Sequence, residues 1–288
     1  YSQGKYNEAI TYYEKVLKID PKHTLALNNL GEALYSQGKY QEIITYYNKA
    51  LKNVPNNTDI LNRIGYAYYT LEKYGDAITY YDKALKIDPR DTIALNNIGV
   101  ALYYQGKYNE AITYYDKALK IEPNNADTLN RIGYAYFNLD KYKEAITYYD
   151  KALKIDPKHT KALFNEGYTY FKMNKYEEAM KYYDKLLKIE PNSEFAQQYK
   201  KIITDKLNQK TSSAQNTTFK ESFDKAASLA DKGKYKEAIT YYDKALKIDP
   251  NNTLTLNNLG DALYYQGKHE EAITYYNKAL KVNPSDTI

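Results

Sequence analysis

Residues 106–123 read GKYNEAITYYDKALKIEP, and close variants of this stretch recur along the chain. Each copy ends in a proline. The eight prolines stand at positions 21, 55, 89, 123, 157, 191, 250 and 284, so every step but one is 34 residues long. A fixed period of this length indicates an array of stacked units, in which each unit packs only on its neighbours and no single central core forms.

Each repeat contains two predicted amphipathic helices. In residues 92–125, Leu95 and Ile98 begin an apolar stripe at helical spacing, and a second stripe begins after Gly106. Gly106 predicts the end of the first helix, because glycine adopts the left-handed conformation at least cost. Pro123 ends the second helix. The predicted units are 24–57, 58–91, 92–125, 126–159, 160–193, 219–252 and 253–286, and residues 1–23 form the rear part of one more.

Two recurring glycine positions carry further information. One lies inside the first helix, at residues 31, 65, 99, 133, 167 and 260, where glycine costs about 1 kcal/mol relative to alanine. This cost predicts a close approach of the two helices, with an alanine such as Ala145 as the matching small residue. The other position ends the first helix. Glu72, Asp140 and Asn174 occupy it in three units, which predicts slightly strained turns there.

The repeat pattern breaks after residue 193. Phe195, Tyr199 and Ile203 belong to an apolar stripe on one helical face, which predicts a capping helix over 194–207. The polar residues 208–218 predict a linker that is the least ordered part of the chain. We therefore expect three parts: a first array at 1–207, with partial unit 1–23, five full units over 24–193 and the cap; a linker at 208–218; and a second array at 219–288, with two full units and the start of another.

Over nearly its whole length the chain resembles the tetratricopeptide repeat family. The resemblance is carried by the 34-residue period and by residues such as Gly99, Tyr108, Ala111, Ala118 and Pro123 at their places in the repeat. It implies an all-α fold, a right-handed α-solenoid of stacked helix-turn-helix units. In this family the first helices line the concave face of a superhelix and hold extended peptides.

Composition argues against nucleic acid and membrane partners. The 41 basic and 36 acidic residues give a net charge of +5, and the lysines are spread through every repeat. No apolar run approaches the ~18 residues that a membrane span needs. Without cysteine the chain has no disulfide and no thiolate metal site. We expect a cytoplasmic protein whose partner is a protein or peptide segment, with no membrane partner, and the composition disfavours nucleic acid.

The sequence contains no recognisable catalytic set. Of the three histidines, His23 and His159 follow a proline that ends a helix, and His269 replaces a repeated tyrosine. The Gly-Lys-Tyr turns lack the spacing of a phosphate-binding loop. We expect no enzyme activity, no cofactor and no metal. Two alternatives to a binding scaffold stay open: the substrate-presenting arm of a larger enzyme, and an RNA-binding helical repeat.

Candidate binding residues lie on the first helices. One or two asparagines stand two and three residues before each internal glycine, and arginine takes the second place in two units. Asparagine is a poor helix former whose amide can bond a peptide backbone. The pattern resembles the asparagine ladders of superhelical repeat proteins that clamp a partner's main chain. The predicted groove comprises Asn28, Asn29, Asn62, Arg63, Tyr66, Asn96, Asn97, Asn130, Arg131, Tyr134, Lys161, Asn165 and Tyr168.

Each of these assignments has a structural alternative. One asparagine of each pair can bond the neighbouring repeat instead of a ligand. Arg63 and Arg131 can bind carboxylates or phosphates of a ligand, or pair with Asp59 and Asp127 one helical turn away. The 37 tyrosines mostly recur at fixed places, which favours packing over an aromatic cage.

We also expect head-to-tail self-association. The sequence begins in the tail of a first helix and ends at the start of another, so we interpret it as a fragment of a longer array. A helix at 5–18 would then expose an apolar face with Ala9, Ile10 and Tyr13. Unit 253–286 of a second copy would stack on this face.

Overall fold

The computed structural model of the chain describes residues 3–284, with side chains placed from residue 5 onward. The described residues form helices joined by short turns, without strands. The predicted all-α solenoid of helix-turn-helix units is confirmed. Its helices are α1 Gln3–Ile19, α2 Thr24–Ser36, α3 Tyr40–Leu51, α4 Thr58–Thr70, α5 Tyr74–Ile87, α6 Thr92–Tyr104, α7 Tyr108–Ile121, α8 Ala126–Asn138, α9 Tyr142–Ile155, α10 Thr160–Lys172, α11 Tyr176–Ile189, α12 Glu194–Ala230, α13 Tyr235–Leu246, α14 Thr253–Tyr265 and α15 His269–Val282.

The chain divides into two compact parts, residues 1–199 and 200–288. In the first part the helices from α1 to α11 pack in sequential order, each on the next. In the second part α13, α14 and α15 pack in the same sequential way. The predicted candidate site lies wholly in the first part.

Side chains at the residue before each first helix satisfy free backbone amides. Asp91 Oδ1 accepts a hydrogen bond from the Ala94 amide at 3.0 Å, and Asn57 caps α4 in the same way. His23 and His159 do so through Nδ1, each at 3.1 Å from an amide nitrogen. Capping of this kind is typically worth about 1 kcal/mol. These two histidines therefore have a structural role.

The turns after the first helices have the same backbone conformation whether or not the residue that ends the helix is glycine. Gly106 has φ 75°, and Glu72, Asp140 and Asn174 have φ values of 59°, 57° and 58°. The Gly106 amide donates to Tyr103 O at 2.9 Å, and the Glu72 amide makes the equivalent bond to Tyr69 O at 2.9 Å. The three side-chain-bearing residues thus adopt the left-handed conformation that glycine favours, so the predicted strain is present.

The glycines inside the first helices lie against tyrosine rings. A Cβ atom added to Gly133 would lie 2.6 Å from the Tyr149 ring and 3.1 Å from the backbone oxygen of Ala145. Gly65 faces Tyr81 in the same way, at 2.5 Å. The predicted close approach is confirmed. Each second helix carries two consecutive tyrosines. The nearest group to the glycine is the ring of the second of these tyrosines and not the alanine side chain, because the ring fills the space that the missing Cβ leaves.

Helix α12 runs without interruption through the predicted cap and linker. The sequence from Glu194 to Ala230 contains neither glycine nor proline, so nothing ends the helix at residue 207. The hydroxyls of Thr211, Thr217 and Thr218 donate to the carbonyl oxygens four residues earlier. Residues 208–218 are therefore helical, in contrast to the expected irregular linker. The division into two arrays stays a prediction.

The apolar face predicted to be exposed near the start of the chain is packed. Ile10 is 8% exposed and belongs to the core that α1 shares with α2 and α3. Tyr13 packs against the same core, and Ala9 is half-buried. The prediction of an open face at these residues is wrong, because α2 covers it. Head-to-tail association stays a prediction; residues 285–288 at the other end lie outside the described residues.

Candidate functional site

Two cavities lie along the first helices of residues 1–199. The larger has a volume of about 610 Å³ and the smaller about 540 Å³. We call the surface that contains both cavities the groove. The smaller cavity is lined by the predicted residues Asn62, Arg63, Tyr66 and Asn97, and the larger by the predicted residues Asn130, Arg131, Tyr134, Lys161 and Asn165. The predicted residues Asn28, Asn29, Asn96 and Tyr168 line neither cavity.

In three units, the asparagine three residues before the internal glycine is hydrogen-bonded to the next first helix or to the residue that caps it. Asn62 Nδ2 donates to Asp91 Oδ2 at 2.7 Å, and Thr128 Oγ1 donates to Asn96 Oδ1 at 2.8 Å. Asn130 Oδ1 accepts from Asn165 Nδ2 at 3.0 Å. Asn62 and Asn130 are also buried. These amides hold neighbouring repeats together, as the structural alternative expected, and a ligand role for them stays a prediction.

Neither arginine pairs with the aspartate one turn away. Within the part of the chain that the structure describes, no ion pair involves Arg63 or Arg131. Asp127 Oδ1 instead lies 3.2 Å from His159 Nε2. Arg131 and Lys161 thus line the larger cavity, and neither forms an ion pair among the described residues. Glu190 also lines this cavity.

Each arginine lies close to a buried tyrosine of the preceding unit. Burial raises the pKa of the Tyr47 hydroxyl to about 12, while Arg63 opposes the shift by its charge and a hydrogen bond. Burial likewise raises the pKa of Tyr115, and the charge of Arg131 opposes it. Each arginine therefore interacts electrostatically with a packed tyrosine of the preceding unit.

A continuous line of aromatic rings crosses the first helices, and we call it the aromatic track. Ring centroids of neighbouring members are 5.3–6.2 Å apart. Its members, in order, are Tyr35, Tyr66, Tyr69, Tyr104, Tyr103, Tyr134, Phe137, Tyr168 and Tyr199. Tyr66 is 47% exposed and Tyr104 is 56% exposed. The track therefore offers ring surface to solvent along the groove.

Sequence reasoning did not find this track. The favoured explanation, packing, is right for the second tyrosine of each pair, since Tyr81, Tyr115 and Tyr149 are buried. The overlooked signal is the spacing of aromatic residues three apart on the first helices, as in Tyr66 with Tyr69. Such residues lie on one helical face.

Two kinds of site are not found in the described residues. No group of three or more His, Cys, Asp or Glu side chains within 3–284 is arranged to hold a metal ion. The same residues include no helix with the length and apolarity needed to cross a membrane.

Several family patterns match the chain. The pattern described as "Tetratricopeptide repeat" matches residues 23–90 and 221–285, and a second pattern of that description matches 62–126. "TPR repeat" matches residues 1–38. "Anaphase-promoting complex, cyclosome, subunit 3" matches 104–186, and "Fis1 C-terminal tetratricopeptide repeat" matches 167–211. No curated protein matches the chain.

Three solved structures illustrate the likeness of fold. YrrB, described as a TPR protein with an unusual peptide-binding site, is 23% identical with a TM-score of 0.51, over 66% of this chain and 97% of its own. MamA 41-end from Desulfovibrio magneticus RS-1 is 22% identical with a TM-score of 0.54, over 61% and 98%. The APC/C hetero-tetramer Cut9-Hcn1 is 15% identical with a TM-score of 0.50, and the match spans 98% of this chain but 50% of that one.

Proposed function

Because the chain belongs to the tetratricopeptide repeat family, we propose that it is a non-enzymatic scaffold whose groove binds an extended segment of a partner protein. The observation that carries the proposal is the lining of both cavities. Side chains from successive first helices contribute to each, and they combine exposed aromatic rings with cations. YrrB, a protein of similar fold, is described as having a peptide-binding site, which offers a precedent.

The physical basis is a line of anchor residues across several repeats. Aromatic and arginine side chains dominate the energetics of protein interfaces, because they fill well-packed pockets from which water is excluded. Tyr66 and Arg63 line the smaller cavity, and Tyr134 and Arg131 line the larger. An extended chain advances about 3.3 Å per residue, so a single segment can contact anchors in successive units.

The proposal can be tested with peptides selected for binding. A display library of random twelve-residue peptides is panned against the full chain, and the selected peptides are titrated against two triple variants. The groove variant is Asn97→Ala/Arg131→Ala/Lys161→Ala. Its matched control is Lys117→Ala/Lys151→Ala/Thr147→Ala on the second helices, which also removes two charges and one neutral polar group. Asn165 is left intact because it donates to Asn130.

We expect the groove variant to bind the selected peptides at least tenfold more weakly, since it removes two cations and an amide from the cavity walls. The control should stay within about twofold of the parent chain. Circular dichroism checks that both variants remain helical. Selected peptides that bind the groove variant and the parent chain equally well would refute the proposed site.

A further inference from the structure

We propose that the occupant of the groove is a proline-rich segment in the polyproline II conformation. The inference rests on the proposed function and specifies the chemistry of the partner. It is carried by the continuous aromatic track of the groove, and the hydrogen-bond donors beside the track support it.

The aromatic track suits proline rings. Its members form an unbroken series of ring contacts from Tyr35 to Tyr199, and Tyr66, Tyr104 and Tyr134 are 40–56% exposed. Polyproline II is an extended helix with three residues per turn, and its rings pack well in grooves lined by aromatic side chains. Because this helix is preformed, it loses little conformational entropy on binding.

The polar groups beside the track favour a ligand rich in carbonyl oxygens. Arg63, Arg131 and Lys161 can only donate hydrogen bonds. Asp127 lies against His159, and Asn62 and Asn130 are hydrogen-bonded within the protein. The carboxylates of Asp59 and Glu190 are further acceptors in the cavity walls. The cationic and donor groups are therefore complementary to the partial negative charge of unpaired carbonyl oxygens.

A proline-rich segment has that chemistry. Its backbone makes no internal hydrogen bonds, so every carbonyl oxygen is available, and proline has no amide hydrogen that would require an acceptor. An ordinary extended segment carries one amide N–H per residue, and each one left unpaired on burial costs about 1–3 kcal/mol. Acceptors in the cavity walls, such as Asp59, Glu190 and Asn97, can meet that requirement for only some residues of such a segment, whereas proline does not impose it.

Direct titration with a fluorescein-labelled peptide of ten prolines tests the inference on the full chain. Fluorescence anisotropy should show saturable binding with a dissociation constant on the order of 10–100 μM, as expected for a short preformed ligand. A Gly-Ser peptide of the same length should bind at least tenfold more weakly. Tyr66→Ala/Tyr134→Ala should weaken decaproline binding at least tenfold, whereas Tyr66→Phe/Tyr134→Phe should stay within about threefold because the rings remain.

Several results would overturn the inference. One is the absence of saturable decaproline binding, and another is equal affinity for the Gly-Ser peptide. A third is saturable binding of a single-stranded ten-uridine RNA, lost in Tyr66→Ala/Tyr134→Ala, without decaproline binding, since bases also stack on aromatic side chains. If display-selected peptides still bind in the groove while decaproline does not, this inference fails and the proposed function stands. If neither binds there, both fail.

Discussion

The first helices vary more in sequence from repeat to repeat than the second helices do. The second helices α5, α7 and α9 share the same eleven residues, AITYYDKALKI, over 77–87, 111–121 and 145–155. The first helices α4, α6, α8 and α10 keep an internal glycine but differ at positions that line the two cavities, where Arg63 and Asn97 are equivalent. The contrast indicates that stacking determines the sequence of the second helices, and it supports our proposal that the first helices recognise the ligand.

The second helices use their constant residues for packing on both sides. Tyr81 is buried against Gly65 of the first helix, and the adjacent Tyr80 donates a hydrogen bond to Asn48 of the preceding unit at 2.9 Å. Lys83 Nζ lies 4.2 Å from the centroid of the Tyr80 ring. The residues of this motif are thus already engaged within the solenoid, which explains their repetition.

Substitution of the internal glycine should have the largest effect on stability. Gly133→Ala should destabilise the chain by about 2 kcal/mol, because the new Cβ would overlap the buried Tyr149 ring and crowd the Ala145 oxygen. Gly75→Ala is the matched control on a second helix, where nothing lies within 4 Å of an added Cβ. It should stabilise by a few tenths of a kcal/mol through helix propensity, up to about 1. Urea denaturation followed by circular dichroism measures both; equal shifts would contradict the packing account.

One unit departs from the pattern of apolar residues on the first helices, because Glu166 stands where Ile132 stands in the preceding unit. Its carboxyl is fully buried, and burial raises its pKa from 4.5 to about 7. The charge of Asp150 acts in the same direction, while Tyr182 and Lys185 oppose it. Tyr149 and Tyr170 also interact electrostatically with this carboxyl.

A raised pKa in the folded state means that the folded chain binds this proton more tightly than the unfolded chain. The resulting stabilisation is fully present below pH 4.5 and is lost as the pH rises towards 7. Glu166→Leu should remove this dependence and stabilise the chain by about 2 kcal/mol at pH 8, with a smaller gain at pH 4.5. Urea midpoints measured from pH 4.5 to 8 test this, with Glu177→Leu as an exposed control. A constant difference between parent and Glu166→Leu across that range would contradict the titration of Glu166.

Substitutions in the turns after the first helices should have a smaller effect on stability. Glu72→Gly should stabilise the chain by about 1 kcal/mol, because Glu72 adopts a φ of 59° that glycine tolerates without strain. The reverse change, Gly106→Glu, should destabilise by a similar amount, since Gly106 has a φ of 75°. Thermal unfolding of the two variants measures both signs. If both changes destabilise the chain, the side chain of Glu72 stabilises the fold by more than its backbone strain destabilises it, and the prediction is wrong.

Sequence periodicity predicted the repeat units, the helix ends and the close approach at the internal glycines. It also selected residues that line the two cavities, because the first helices differ in sequence at those positions. The aromatic track was missed, since contacts such as Tyr103 with Tyr134 depend on how one unit is stacked on the next. The pairing of Asp127 with His159 rather than Arg131 depends on the same stacking.

The course of α12 was also mispredicted, for a different reason. Polar composition suggested an irregular segment, but serine, threonine and asparagine lower helix propensity by well under 1 kcal/mol each and do not end a helix. A proline would have done so, and residues 208–218 contain none.

The central claim, that the first helices bind the ligand, is tested most directly by photo-crosslinking. The photoreactive residue p-benzoylphenylalanine replaces Tyr134 on α8 in one protein and the exposed Lys117 on α7 in another, and each is irradiated with a saturating display-selected peptide. Tyr134 lines the larger cavity, whereas Lys117 Nζ lies 4.4 Å from the centroid of the Tyr114 ring on the second helix. We predict a peptide crosslink from position 134 and none from position 117. Crosslinking from position 117, or from neither position while the peptide remains bound, would contradict the account.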